Sequence, residues 1–196
     1  MKKTLASLFA AGLLAPAIAS ANDISYSYVD GGLALYPDFE DQTFIGIDAT
    51  GSFAVTPDIF VFGGLKYLTD DLDLTAIHVG GGYRFEVAPA TDIWGGLTIE
   101  YQEIEFTGRS CDIFGNCTSR TVSFDDTSLG IRGGLRHRLN EDFEVGGSAR
   151  IVTGDLDYFG ISGYGQYFLN QNLGVIGEVD LYDGELGLIG KVRFNF

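Results

Sequence analysis

Two histidines are the side chains best suited to proton transfer near neutral pH, and neither has the sequence neighbours that catalysis requires. His78 shares the polar side of an alternating segment with Arg84 and Glu86, but no candidate nucleophile accompanies it. The chain also lacks a Gly-x-Ser-x-Gly turn and a phosphate-binding glycine loop. We therefore expect no enzymatic activity and no cofactor. His78 is expected in an interior hydrogen-bond network, and His137, on the apolar side of its segment, at an interface.

The acidic run Asp70-Asp71-x-Asp73 offers oxygen ligands of the kind that Ca²⁺ prefers. It lacks the ligand spacing of a calcium-binding loop, so a solvated acidic loop tip is the favoured interpretation. The whole chain carries 27 acidic residues against 12 Lys and Arg, a formal net charge of -15. This balance argues against nucleic acid as a partner. We expect no dedicated metal site.

The two cysteines, Cys111 and Cys117, stand close together in a polar segment. We expect a disulfide that closes a small loop. The alternative is a metal pair, which is disfavoured because two thiolates without a nearby histidine make a poor zinc site. An exported protein can hold a disulfide, and the N-terminus has a charged start, an apolar stretch and the small-x-small sequence Ala19-Ser20-Ala21. We predict a secretory signal peptide at residues 1–21 and one mature domain at residues 22–196.

Most of the cationic side chains alternate with apolar ones along the chain. Between Ile77 and Val87, and again between Leu129 and Leu139, the odd positions are mostly apolar or Gly and the even positions include the charged residues. A period of two places the two sets on opposite faces of a β-strand. Cations and anions on the polar face are close to balance, which suits ion pairing. We expect one charge network, formed by Lys66, Arg84, Glu86, Glu100, Arg132, Arg136, Arg138, Glu144, Arg150, Glu178, Asp180, Lys191 and Arg193.

Turn-forming residues divide the alternating segments into repeated hairpins. A short turn is followed each time by an apolar, Gly-containing strand, as where Thr56-Pro57-Asp58 precedes Ile59 to Gly64. Four such hairpins, with a first strand over Ile24 to Tyr36 and a last over Glu185 to Phe196, give ten strands. Eight strands is the alternative, if two segments among Tyr158 to Tyr182 belong elsewhere.

The connections at the other ends of the hairpins are acidic and mostly longer, and the longest runs from Thr107 to Arg120. Short turns on one side and long loops on the other are typical of outer-membrane barrels. A membrane-crossing strand needs about 9–11 residues, which the length of the chain allows ten times. An open sheet edge is not viable in hydrocarbon, so the first strand must pair with the last. The sequence therefore predicts an all-β fold, an antiparallel up-and-down transmembrane β-barrel.

A soluble sandwich would show the same alternation, with its apolar face inward. The apolar face of this chain contains Gly51, Gly81 and Gly133, which would leave gaps in a close-packed core but matter less against lipid. Aromatic residues near the strand ends suit the two interfacial girdles of a membrane barrel. After the predicted signal peptide, no apolar run is long enough for a transmembrane helix. We expect the apolar side chains to face lipid and the charge network to face the lumen.

Three segments carry a resemblance to a known family. They are Tyr26-Ser27-Tyr28-Val29-Asp30-Gly31-Gly32, Ile59-Phe60-Val61-Phe62-Gly63-Gly64 and the final Gly190-Lys191-Val192-Arg193-Phe194-Asn195-Phe196. With the signal sequence and the hairpin repeat, they resemble small outer-membrane β-barrel proteins of Gram-negative bacteria, the OmpA- and OmpX-like class. The first two are similar, more narrowly, to the small barrel proteins of xanthomonads and relatives that are linked to diffusible-signal regulation.

The resemblance implies a location in the cell outer membrane, in contact with lipid and lipopolysaccharide. It also implies insertion by the barrel assembly machinery, for which Phe196 is the terminal aromatic signal. We expect a monomer. Divalent cations that bridge the acidic loops to anionic lipopolysaccharide are a hypothesis.

Two functions fit this fold. A narrow porin-like channel for ions or small solutes is the first, because glycines on the inward parity would leave room in the lumen. These are Gly46, Gly64, Gly80, Gly82, Gly96, Gly130 and Gly134. A non-enzymatic structural or surface-interaction role with a charge-plugged lumen is the second. The number of ionic side chains in so narrow a barrel favours the plugged lumen.

Overall fold

Ten antiparallel strands build the described part of the chain, which is residues 24–39, 42–70, 72–111 and 117–196 of the computed structural model. No helix in these ranges is long and apolar enough to cross a membrane. The predicted signal peptide lies outside the described residues. The strands are β1 (Tyr28–Phe39), β2 (Gln42–Ala54), β3 (Ile59–Thr69), β4 (Leu72–Ala88), β5 (Thr91–Cys111), β6 (Cys117–Arg138), β7 (Phe143–Val152), β8 (Tyr158–Phe168), β9 (Leu173–Tyr182) and β10 (Glu185–Asn195).

The sheet closes on itself, because each strand pairs with its neighbours in sequence and β1 pairs with β10. The closing register is antiparallel and runs from Tyr28 opposite Asn195 to Leu35 opposite Leu188. Closure gives the edge N–H and C=O groups the partners that hydrocarbon cannot supply. The predicted ten-stranded up-and-down barrel is confirmed, and the eight-stranded alternative is wrong.

Alternation along the strands separates a lipid-facing wall from a polar lumen. On the outer wall, Leu33, Leu97 and Leu129 expose 68%, 67% and 69% of their surface. Residues of the opposite parity are enclosed, and among them Asp30 and Asp180 are buried. This is the reverse of a soluble barrel. It confirms the expected orientation, with ionic side chains inside and apolar ones outside.

Aromatic side chains surround the outer wall next to the short turns. The rings of Tyr83 and Phe85 lie 4.6 Å apart, and those of Phe143 and Tyr167 lie 4.9 Å apart. Rings of this kind occupy the boundary between lipid headgroups and acyl chains. They mark one membrane interface, at the end of the barrel that holds the turns after β2, β4, β6 and β8. The two longest strands, β5 and β6, meet at the other end, and because the longer loops of outer-membrane barrels are extracellular, the aromatic end faces the periplasm.

The first strand begins later than expected. β1 starts at Tyr28 instead of Ile24, and residues 24–27 lie in the periplasmic mouth of the barrel. Side chains of the barrel, rather than a neighbouring strand, bind the backbone of this segment. Its alternation of apolar and polar residues is the same as that of a strand, so the sequence pattern alone did not separate the two.

Most of the predicted long connection from Thr107 to Arg120 is strand. β5 continues to Cys111 and β6 begins at Cys117, with Thr107 paired opposite Thr121 between them. The other connections on this side are short as well, so the predicted asymmetry in loop length is wrong. What distinguishes this end of the barrel is a single long hairpin.

This hairpin of β5 and β6 extends past its neighbour β7, whose pairing with β6 ends at Gly130. The outward residues of this hairpin also change in character along its length, from apolar to charged. Up to Ile99 the outward residues of β5 are apolar, whereas beyond Tyr101 the outward positions hold Glu103 and Glu105. The change marks the level at which the hairpin leaves the membrane, because outward side chains meet lipid below it and water above it.

Candidate functional site in the barrel lumen

A hub of ion pairs around Asp180 joins four strands across the lumen. Arg150 of β7 donates two parallel hydrogen bonds to the Asp180 carboxylate of β9, 2.8 and 2.9 Å long. The Lys66 ammonium of β3 lies 2.7 Å from one carboxylate oxygen, and the Tyr36 hydroxyl of β1 donates to the same oxygen at 2.6 Å. Asp180 is only 1% exposed. Protein groups, rather than bulk water, therefore stabilise its charge.

A second hub surrounds the ammonium of Lys191 on β10. It lies 2.6 Å from a carboxylate oxygen of Asp48 and 2.9 Å from one of Glu178. Lys66 is 3.8 Å from Asp48, so Asp48 connects this hub to the one around Asp180. The result is a continuous chain of alternating charges that crosses the lumen.

Two arginines complete the network toward the periplasm. The Arg193 Nε donates to Asp30 at 2.9 Å, and its guanidinium lies 3.8 Å from the centre of the Tyr28 ring. The Arg136 Nε donates to Glu144 at 2.9 Å. Both arginines are buried, and each has the carboxylate partner that a buried guanidinium requires.

The opposite wall holds a separate pair on β5 and β6. Arg132 donates two hydrogen bonds to Glu100, 2.9 and 2.8 Å long. The Thr98 hydroxyl also donates to Glu100, at 2.6 Å. His78 lies on this side, next to Glu100 in the sheet register, with its ring centre 6.1 Å from that of Phe62. Its interior position is as expected, but its contact with described residues is ring packing rather than the expected network.

Buried ion pairs contribute more to selecting one arrangement of side chains than to the free energy of unfolding. Removing a charge from water is costly, and attraction to a partner offsets that cost only when the remaining hydrogen bonds are also satisfied. Bidentate contacts at Asp180 and Glu100 meet this condition. The network therefore resists rearrangement, because any movement leaves a buried charge unpaired.

The extracellular end of the lumen is closed by apolar and aromatic side chains. The rings of Tyr158 and Tyr182 stack with their centres 4.4 Å apart. The Tyr182 hydroxyl donates to Gln102 at 2.6 Å, and the Gln102 amide donates at 2.8 Å to the carbonyl of Leu156 in the β7–β8 loop. The buried residues of this extracellular seal are Ala34, Tyr36, Phe44, Leu68, Leu74, Val152, Tyr158, Tyr182 and Ile189.

The periplasmic end is closed by the segment that precedes β1. Ile24 and Tyr26 are 4% and 5% exposed and pack with Phe60 and Phe62 of β3. Trp94 of β5 packs against the same cluster. Burial raises the pKa of the Tyr26 phenol, so the side chain is neutral. We call these residues, Ile24, Tyr26, Phe60, Phe62 and Trp94, the periplasmic seal.

Between the two seals lies a cavity of about 170 Å³. A space of this size can hold several water molecules. Ionic side chains from the hubs and Tyr26 of the periplasmic seal line it, as does His78. The hydroxyl of Tyr26 and one carboxylate oxygen of Asp30 are buried without a hydrogen-bond partner in the described part of the chain. The cavity is thus a small polar compartment.

Most of the charge network predicted from sequence comes together in the lumen. Arg84 pairs with Asp92 at 3.1 Å in the periplasmic mouth, as a separate pair. Two further predicted members do not join the network either. Glu86 is exposed near the end of β4, and Arg138 binds backbone carbonyl groups of the β6–β7 turn. Both have the correct parity, but both lie at the rim. The predicted members found in the lumen ion pairs are Lys66, Glu100, Arg132, Arg136, Glu144, Arg150, Glu178, Asp180, Lys191 and Arg193.

The predicted network lacked Asp30, Asp48 and Asp92 and the hydroxyl groups of the lumen tyrosines. Asp30 has the inward parity of β1, so applying the alternation rule to the first strand would have included it. The same rule places Tyr36 inside, because it shares the parity of Asp30 on β1, but parity does not show which carboxylate its hydroxyl binds. Tyr36 is enclosed, whereas Tyr83 faces outward.

Two of the inward glycines on which the channel hypothesis rests are covered by aromatic rings. A Cβ at Gly82 would lie 2.5 Å from the Phe60 ring, and one at Gly134 would lie 2.8 Å from the Trp94 indole nitrogen. At Gly46 and Gly80, by contrast, the nearest atoms are backbone carbonyl oxygens of the neighbouring strand. At Gly82 and Gly134 the missing side chain therefore makes room for a ring.

Three further predictions receive no test from the geometry. Cys111 lies opposite Cys117 in the sheet register, but the residues between them are outside the described ranges, and the disulfide stays a prediction. Phe196 follows β10 and donates its N–H to the Ser27 carbonyl at 3.1 Å, which leaves its assembly role open to test. No group of three or more acidic, His or Cys side chains suited to a metal ion occurs in the described ranges, and Asp71 is outside them.

Comparisons with known proteins agree with this architecture. A family model described as outer membrane protein beta-barrel domain matches residues 5–158. Among solved structures, the KdgM porin in complex with disordered oligogalacturonate is similar, with a TM-score of 0.48, 12% identity, and coverage of 86% of this chain and 99% of that one. The attachment invasion locus protein Ail of Yersinia pestis has a TM-score of 0.45, 15% identity, and coverage of 85% and 97%. No curated protein sequence matches.

Proposed function

Because the chain belongs to the outer membrane protein β-barrel domain family and lies in the outer membrane, we propose that it is a non-conducting, non-enzymatic barrel with a structural or surface-interaction role. The observation that carries this proposal is the closure of the lumen at both ends, with a charge network between the seals. A conducting pore needs a continuous aqueous path, and the internal space of about 170 Å³ lies between the seals.

The long hairpin of β5 and β6 supports the surface-interaction part of the proposal. Beyond the membrane it exposes Phe106, Val122 and Phe124, with exposed fractions of 46%, 43% and 60%. Apolar side chains in water at this density are typical of interaction surfaces. Their outward neighbours Glu103 and Glu105 keep the opposite face of the hairpin acidic.

The expected partners of the barrel and its narrower family resemblance are part of the same proposal. Lipid and lipopolysaccharide surround the wall, the barrel assembly machinery inserts the chain, and the barrel acts as a monomer. The narrower similarity to diffusible-signal-regulated proteins of xanthomonads belongs here as well. It is supported by the segments that begin at Tyr26 and Ile59, both of which contribute to the periplasmic seal.

Planar-bilayer recording tests the proposal. The chain, refolded in detergent and verified by its heat-modifiable migration in gels, is added to a bilayer across which a voltage is applied. We expect no unitary conductance, whereas a porin added afterwards to the same bilayer gives steps and shows that insertion is detectable. Stable unitary steps from the chain alone would establish the rival function, a narrow channel.

A further inference from the structure

The segment that closes the periplasmic mouth is bound in the manner of a ligand. Three successive carbonyl groups each accept a hydrogen bond from a side chain. The carbonyl of Ile24 accepts from Arg84 at 3.4 Å, that of Ser25 from Arg136 at 2.7 Å, and that of Tyr26 from the Ser52 hydroxyl at 2.7 Å. The three donors belong to β4, β6 and β2, so they come from separate strands around the mouth.

The side chains of the segment occupy a matching pocket. Ile24 and Tyr26 are two residues apart, which places both on the same side of an extended chain. The Tyr26 ring lies 4.6 Å from the ring of Phe60, and the Arg84 and Arg136 guanidiniums lie 5.4 and 4.8 Å from its centre. An apolar ring and two cations therefore surround one aromatic side chain.

The pocket is also organised independently of the segment. Asp92 holds Arg84 at 3.1 Å, and Glu144 holds Arg136 at 2.8 Å. These carboxylates keep the two guanidiniums in position and neutralise them. The donors would therefore stay in place if the segment left, which is a property of a preformed binding site.

From these contacts we infer that the periplasmic mouth is a peptide-binding site, occupied in cis by the chain's own segment Ile24–Ser27. The site recognises a short extended peptide through its backbone carbonyl groups, and it selects an aliphatic side chain followed two residues later by an aromatic one. Release of the segment opens the central cavity to the periplasm. The inference goes beyond the proposed function, because it concerns the mouth and holds for a silent or a conducting barrel.

The only tryptophan of the chain provides the readout, because Trp94 packs in the periplasmic seal. A chain that begins at Tyr28, the first residue of β1, lacks the segment. We expect its Trp94 fluorescence to shift to longer wavelength, and its quenching by acrylamide to rise roughly two-fold, because the indole becomes accessible to solvent from the mouth. A synthetic peptide, Asn-Asp-Ile-Ser-Tyr-Ser, should reverse both changes in a saturable manner. The control peptide has Ala at the positions of Ile24 and Tyr26, and it should have no effect.

A second comparison keeps the segment in the chain and covers the case in which the trimmed protein fails to fold. Y26A removes the ring from the pocket and should raise the quenching of Trp94. Y26F removes only a hydroxyl that has no partner in the described part of the chain, and it should leave the quenching unchanged. The inference is overturned if quenching in Y26A equals that in Y26F, if the trimmed chain behaves as the full one, or if both peptides act alike. Conductance of the full chain would instead overturn the proposed function.

Discussion

Arg150 and Asp180 face each other across the intervening strand β8, joined by two hydrogen bonds of 2.8 and 2.9 Å. The same carboxylate also binds Lys66, which comes from the far side of the barrel. One aspartate thus links walls that are distant both in sequence and around the sheet. It is the residue at which we expect the lumen to be least tolerant of change.

Removing this carboxylate should destabilise the barrel strongly. D180N leaves the buried Arg150 without a carboxylate partner and Lys66 with only Asp48, 3.8 Å away, at a cost of about 3–5 kcal/mol. Unfolding in urea from lipid vesicles, followed by Trp94 fluorescence, measures the change. E86Q is the matched control, because Glu86 has the same inward parity but is exposed, and it should change the unfolding free energy by less than about 0.5 kcal/mol. Equal effects of the two substitutions would contradict the assignment of the hub.

Glycines should respond to substitution according to the face on which they lie. A Cβ at Gly82 meets the Phe60 ring at 2.5 Å, so G82A forces the periplasmic seal to shift, at a cost of about 1–3 kcal/mol. Gly177 faces outward, with nothing within 4 Å of an added Cβ, and G177A should be neutral or slightly stabilising. The same urea unfolding experiment compares them. A neutral G82A would mean that the lumen has the free space expected of a channel.

The position at which the β5–β6 hairpin leaves the membrane can be tested directly. Ile131 faces lipid on β6, and I131R should destabilise the barrel in vesicles, by up to about 2–4 kcal/mol near the bilayer midplane. Ser123 has the same outward parity on β6 and is exposed beyond the membrane, opposite Glu105 of β5, so S123R should be tolerated. If S123R costs as much as I131R, the hairpin is embedded rather than projecting into water.

The disulfide prediction concerns the tip of the same hairpin. We expect the unreduced mature chain to contain no free thiol, and the chain reduced after unfolding to contain both Cys111 and Cys117 as thiols. The doubly substituted C111S/C117S chain should keep its barrel stability within about 0.5 kcal/mol, because the tip lies outside the wall. It should nevertheless be cleaved faster at the tip by added protease. Two reactive thiols in the unreduced chain would rule out the bridge.

The last residue should matter for assembly rather than for stability. A chain that ends at Asn195 loses the terminal aromatic, and we expect it to accumulate less folded barrel in the outer membrane of a Gram-negative host. F196Y keeps an aromatic ring and serves as the control. Refolding of the purified chains into detergent should give the same final yield of heat-modifiable barrel. A defect in that refolding as well would assign Phe196 a structural role, for example through its hydrogen bond to the Ser27 carbonyl.

The alternation of residue types was sufficient to establish the orientation of the wall. A period of two fixes which side chains share a face, and the apolar character of one face fixes which solvent it meets. This is why Leu129 and Arg132 were assigned correctly to lipid and lumen without coordinates. It is also why all ten strands could be counted, since each carries its own alternation and ends at a turn.

The parity of a residue shows which face it lies on but not how far along the strand it lies. This explains why two residues predicted in the lumen network lie at the rim of the barrel instead. Glu86 and Arg138 have the inward parity, as Glu100 does, but they lie at the ends of their strands, next to the turns. Whether an inward side chain meets a partner or water depends on the stagger between strands. The stagger is set by closure of the sheet, which is a property of the whole barrel.

The sequence by itself determined a closed antiparallel barrel with ions inside, because those features follow from local periodicity and from the need to pair every backbone group in hydrocarbon. Only the tertiary structure decided which side chains pack together at the two ends of the lumen. Ring closure places Tyr26 between Arg84 and Arg136, which are residues that no local pattern connects, whereas Phe60 covers Gly82 because the two are opposite each other in the register of β3 and β4. Whether an inward glycine leaves a gap or receives a ring depends on its neighbours in space, and those are fixed by the register of the closed sheet.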